Sequence, residues 1–163
     1  MRSLQCLRAF SVWSFMALSL VAGCMASPTG DNGVGADTYI PQDVATIAAV
    51  CASTNFDTEK TRQILISKGF VERRRPLQHQ IEKFPVGAKP LTQGVTAPWN
   101  LPCKPSVDAR YVNTSLAAAA VALQSYGYVT SDGLFFVKDG NRIRLQSRGV
   151  ALGGPAEINL TPL

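Results

Sequence analysis

His79 is the only histidine of this 163-residue chain, and its four cysteines are Cys6, Cys24, Cys51 and Cys103. With one imidazole, a two-histidine zinc site is excluded unless carboxylates supply nearly every other ligand. A cysteine nucleophile would need a base beside it, and His79 lies in a different segment from Cys51 and Cys103. There is no Gly-x-Ser-x-Gly elbow, no His-Glu-x-x-His pair, no Cys-x-x-Cys and no phosphate-cradling glycine loop. Asp31 to Asp37 lacks the alternating oxygen ligands and closing glutamate of a calcium loop. Glycoside cleavage needs two facing carboxylates. Asp57, Glu59, Glu72, Glu82, Asp108, Asp132, Asp139 and Glu157 are all candidates, but no spacing selects a pair. The reading is therefore non-enzymatic, with no metal and no cofactor.

Positive charge is the other chemistry on offer. Arg73-Arg74-Arg75 stands near Lys68 and Lys83, and Arg142, Arg144 and Arg148 form a second group. Alternate residues of a strand share a face, so Arg73 pairs with Arg75 and Arg142 with Arg144. If the two faces merge, they make a cationic patch suited to lipid phosphates, anionic glycans or an acidic partner. The plainer alternative is a solvated sheet face whose arginines discourage edge-to-edge association. Arg73, Arg74, Arg75 and Trp99 are the candidate partner surface.

The elements that must position these residues follow from periodicity and breakers. Pro41 to Ser53 reads as a helix, with proline in the first turn and Val44, Ile47, Ala48 and Cys51 at helical spacing. Asn55 to Asp57 breaks it, and Asp57 or Thr58 can cap a second helix running to about Lys68, with Gly69 at its C-terminal stop. Strands are expected at Phe70 to Arg74 and Leu77 to Lys83. Five prolines between Pro85 and Pro105 preclude a long helix there, so the segment reads as an extended excursion. Asn113 or Thr114 can cap a third helix, Ser115 to Tyr126, ended by Gly127. A short strand at Tyr128 to Thr130 follows. Asp139-Gly140-Asn141 marks a hairpin between Leu134 to Lys138 and Arg142 to Gln146, and a last strand covers Ala156 to Leu160.

Ile64 to Val71 and Ala122 to Val129 look alike: each is a helix end, Ser-x-Gly, an aromatic and a valine. Two readings stand, a duplicated helix-plus-hairpin unit or two ordinary helix stops. Gly127-Tyr128-Val129, the hairpin through Arg142-Ile143-Arg144-Leu145 and Gly149 locally resemble the last helix and wing of winged-helix domains over about 35 residues. That resemblance implies a shape only.

Arg2 and Arg8 precede an apolar core, Ala9 to Ala22, of 14 residues, which is short against the roughly 20 of a spanning helix. The core stops at Val21-Ala22-Gly23-Cys24. A basic start, a short apolar core and small residues at the end make a secretory signal. The alternative is an uncleaved N-terminal anchor. The four-residue motif resembles the processing site of bacterial lipoproteins, in which a diacylglycerol is added to the cysteine before cleavage. The resemblance implies a signal peptide at 1–23, a lipidated, palmitate-bearing Cys24 as first residue, and a tether at 24–38. With Met25 rather than Asp after the cysteine, it implies the periplasmic side of the outer membrane.

Cleavage would leave 140 residues, enough for one domain with a core, here 39–163. It would also remove Arg2 and Arg8, lowering the net charge from +5 to +3. An exported chain of that charge gives no reason to expect nucleic acid. Export also places Cys51 and Cys103, the cysteines left after Cys6 and Cys24 are accounted for, in an oxidising compartment where two thiols usually pair. Unpaired core thiols are the alternative. The expected fold is a small α+β domain of three helices and short antiparallel hairpins with one disulfide. The expected role is envelope lipoprotein: protein binding or assembly first, an immunity-type inhibitor of a toxin or hydrolase second, a wall hydrolase third.

Overall fold

The computed structural model describes residues 36–84, 94–149 and 155–163. The lipobox-like motif, the signal segment and nearly all of the expected tether lie outside them. Three helices form, α1 (Ala36–Ser53), α2 (Thr58–Ser67) and α3 (Val112–Ser125). Seven strands form as well: β1 (Val71–Arg75), β2 (Gln78–Lys83), β3 (Val95–Pro98), β4 (Ser106–Asp108), β5 (Phe135–Lys138), β6 (Asn141–Arg148) and β7 (Pro155–Pro162). They make one antiparallel sheet in the order β1-β2-β3-β4-β7-β6-β5. The fold is a small single α+β domain. No helix of the described residues is long and apolar enough to cross a membrane.

Period-two alternation gives the sheet two unlike faces. Ile81, Val95, Ala97, Val107, Phe136, Ile143, Leu145, Ile158 and Leu160 are buried on the inner one. The core continues into α1 through Ile40, Val44, Ile47 and Cys51, and into α3 through Ala119 and Leu123. α1 begins at Ala36, five residues before the expected start and inside the expected tether. It carries Pro41 within it, where the ring forfeits one backbone donor. Burial of Ile40 and Val44 on the core side holds the helix through that defect.

Cys51 at the end of α1 is bonded to Cys103, with Cα atoms 6.0 Å apart. The proline-rich excursion is thereby tied to α1, and it holds more structure than expected. β3 and β4 lie within or beside it and form the middle of the sheet. α3 starts at Val112 with no side-chain cap, after a tight turn at Ala109–Tyr111 whose entry is capped by Asp108. Thr114, expected as a cap, donates its hydroxyl back to the Tyr111 carbonyl instead.

The two similar stretches build the same local structure. Phe70 N–H donates to the Leu65 carbonyl at 3.1 Å, and Tyr128 N–H to the Leu123 carbonyl at 3.2 Å. Gly69 and Gly127 take φ of 87° and 85°, the left-handed step that ends a helix this way. Ser67 and Ser125 each donate to a carbonyl three residues back at 2.7 Å. Lys83 then lies over the Phe70 ring and Lys138 over the Tyr128 ring, at 5.2 and 5.9 Å. Outward from the central β4–β7 pair the sheet reads β3, β2, β1 on one side and β6, β5 on the other. Val129 bridges Val137 where Val71 pairs with Glu82. The expected strand at Tyr128 to Thr130 shrinks to that bridge. Asp132 accepts the N–H groups of Leu134 and Phe135, closing a loop that stops the strand. The hairpin is thus one end of a broad sheet, unlike a free-standing wing.

Candidate functional site

The candidate arginines occupy an outer strand. β1 is the last strand of the order, and Arg73, Arg74 and Arg75 are all exposed on it. The hairpin register sets Arg73 opposite Gln80 and Arg75 opposite Gln78, so both share the outward face with Glu82. Arg73 Nε reaches Glu82 Oε1 at 2.6 Å, and Arg75 approaches the other oxygen at 3.9 Å. Glu82 is 2% exposed, and a buried carboxylate requires such partners. Arg74 points to the other face and donates to Glu72 at 2.7 Å. The hydrogen bond from Arg74, then that with His79, holds the Glu72 carboxyl below its ordinary range. Each arginine of this cluster therefore meets a carboxylate. Lys83 is not with them: its side chain crosses to Asp43 of α1 at 2.8 Å. Burial pushes the Asp43 carboxyl up, with Lys83 opposing.

Trp99 joins this cluster from the turn after β3. Its ring stacks on His79, centroids 4.4 Å apart and planes 17° apart. The Arg62 guanidinium of α2 lies 4.5 Å from the same ring and donates to the Trp99 carbonyl at 3.2 Å. His79 Nε2 meets Glu72 at 2.8 Å. Arg62, Trp99, His79, Glu72 and Arg74 thus form one chain of contacts from α2 to the sheet edge. Sequence reasoning missed Arg62, Glu72 and Glu82 as members. Glu82 was open to discovery, since the hairpin register puts it across from Val71. Arg62 was not, because its contact depends on how α2 packs.

The second basic group sits at the opposite end of the sheet. Arg142, Arg144 and Arg148 are exposed on the outward face of β6. Arg142 lies 4.0 Å and Arg144 6.0 Å from the centre of the Phe135 ring. Arg148 pairs with Glu157 in the β6–β7 register. The two basic groups share the outward side of one sheet, but β2, β3, β4 and β7 lie between β1 and β6, so they do not merge.

Neither a family model, nor a curated protein, nor a solved structure matches this chain.

Several other carboxylates are engaged locally. Asp108 receives Arg110 through two nitrogens at 3.0 and 3.2 Å, which holds its carboxyl low. Asp57 caps α2 through the Lys60 N–H at 2.9 Å, and Glu59 pairs with Arg62. Among the described residues, no three His, Cys, Asp or Glu side chains gather where they could hold a metal ion. On the outward face, Gln80, Glu82, Thr96 and Ser106 line a cavity of about 200 Å³. Arg75 and Asp108 also line it, each already engaged in an ion pair, together with Phe84 and Pro155.

Proposed function

We propose that this chain is a lipid-anchored lipoprotein of the cell envelope that binds a partner protein, without catalysis of its own. The anchor is Cys24, which takes its diacylglycerol before residues 1–23 are cleaved away, on the periplasmic side of an outer membrane. The partner surface is the β1 end of the sheet, carrying Arg73, Arg74, Arg75 and Trp99.

One observation carries the binding part. Among the described residues nothing pairs with the outer side of β1, and four of its five residues are exposed. A bare edge presents unpaired N–H and C=O groups that an incoming strand can complete. Charged edges more often repel such pairing, but here Glu72 and Glu82 already compensate the arginines. Leu77 at the hairpin tip is 97% exposed, which adds an apolar contact at the end of the edge. The Trp99 stack fixes the neighbouring turn, so this end of the sheet is preorganised for docking.

The test has two arms. Labelling cells with radioactive palmitate should mark the parent and not Cys24→Ala; equal labelling in both, or none in either, overturns the anchor. Affinity purification of the mature chain from its own cells should recover envelope proteins that are lost when Arg73, Arg74 and Arg75 become Glu. Recovery of one tightly bound hydrolase or toxin would favour the inhibitor reading instead.

A further inference from the structure

The geometry points to a second surface, at the β5–β6 end of the sheet, that docks on an anionic lipid bilayer. The two arginine groups differ in how their charge is spent. Those of β1 meet Glu72 and Glu82, whereas no carboxylate of the described residues comes within 4 Å of Arg142 or Arg144. Asp132 is engaged by the Leu134 and Phe135 N–H groups, and Asp139 sits in the hairpin turn, where its charge acts on Tyr128. The Phe135 ring beneath both guanidiniums limits their freedom, so less entropy is lost when they meet phosphate.

Apolar surface accompanies this charge. The register places Val129 beside Val137 and Val137 beside Arg142, all on the outward face. Val129 is 70% and Val137 41% exposed. Arginines interleaved with exposed valines and a phenylalanine match the interface of a membrane, where headgroups meet the first methylenes. Each basic residue near an anionic surface contributes a favourable term that does not require a shaped pocket.

This inference rests on the anchor at Cys24 for its setting. Twelve positions separate Cys24 from Ala36, a reach of about 40 Å even if fully extended. The domain would therefore stay within contact distance of the bilayer. With the β5–β6 end on lipid, the β1 edge stands about 29 Å away across six strand spacings, free for a partner.

The test uses the mature acylated chain in vesicles of phosphatidylcholine alone or mixed with phosphatidylglycerol, with a nitroxide label on Val129→Cys. In the anionic vesicles the label should be shielded from a water-soluble relaxation agent, and in neutral ones it should be exposed. Arg142→Gln with Arg144→Gln should lower the docked-to-undocked ratio about thirtyfold, at roughly fivefold per arginine. Sedimentation with the vesicles should not change, because the acyl chains remain. Arg142→Lys with Arg144→Lys should keep most of the shielding, since charge and not forked geometry is what lipid reads. A label that stays in water on anionic vesicles, or shielding unaffected by the glutamine pair, overturns the surface. Shielding lost equally in the lysine pair overturns it too, in favour of a bidentate acidic protein site. A chain with no acyl group on Cys24 overturns the anchor alone; co-sedimentation with the two vesicle types then decides the surface by the same variants.

Discussion

Trp99 and His79 are joined twice: their rings stack at 4.4 Å, and the Trp99 N–H donates to the His79 carbonyl at 2.9 Å. The pair locks the turn after β3 onto β2, and Arg62 brings α2 to the same ring. Substituting Trp99→Leu should remove stacking and cation–π attraction together, at a cost of about 1–2 kcal/mol. A urea midpoint unchanged from the parent would show the ring to be an ornament of the surface.

The Cys51–Cys103 bond closes a loop of 52 positions, for which chain entropy gives about 4 kcal/mol. Cys51→Ala with Cys103→Ala should lower stability by an amount of that order, measured by denaturant unfolding. Mass analysis without reductant should find the two peptides joined.

Asp43 and Lys83 form a half-sheltered pair between α1 and β2. Lys83→Met removes the cation and leaves a desolvated carboxylate, costing about 2 kcal/mol at neutral pH. Burial already raises the Asp43 carboxyl from its ordinary value, so folding takes up protons at this site. The stabilising contribution of the protonated form is complete below the unfolded value and is lost as pH rises through the folded one. The Lys83→Met deficit should therefore shrink as pH falls towards 4, as shown by unfolding curves at several pH values. A deficit independent of pH would assign the loss to packing on Phe70.

Gly94 leaves no room for a side chain. A Cβ there would sit 2.7 Å from the Lys83 carbonyl oxygen and collide with the Phe84 ring. Gly94→Ala should displace the start of β3 and cost about 1–3 kcal/mol. Exchange of the β2–β3 amides should quicken in the same variant.

Much of this architecture was legible, for reasons that can be named. The hairpin at Asp139-Gly140 was readable because both residues take positive φ, 48° and 81°, which that dipeptide tolerates. Gly69 and Gly127 announced their helix ends in the same way. The disulfide followed once export was supposed. β3 and β4 were hidden, because strands of four and three residues in a proline-rich segment show too little alternation. The early start of α1 was masked by Pro41, whose local penalty is outweighed by burial that only tertiary structure reveals. For the site, residue types identified the arginines but not their neutralisation. That one group is balanced by Glu72 and Glu82 while the other stacks on Phe135 depends on cross-strand register.

β7 comes last among the described strands yet inserts between β4 and β6. Until it arrives, neither half of the sheet has its inner neighbour, and both would present raw edges. A polypeptide delivered N-terminus first through a translocation pore would thus stay unzipped until its final strand emerged. On the export route proposed above, such late closure would keep the chain loosely coiled during passage and let it become rigid only afterwards.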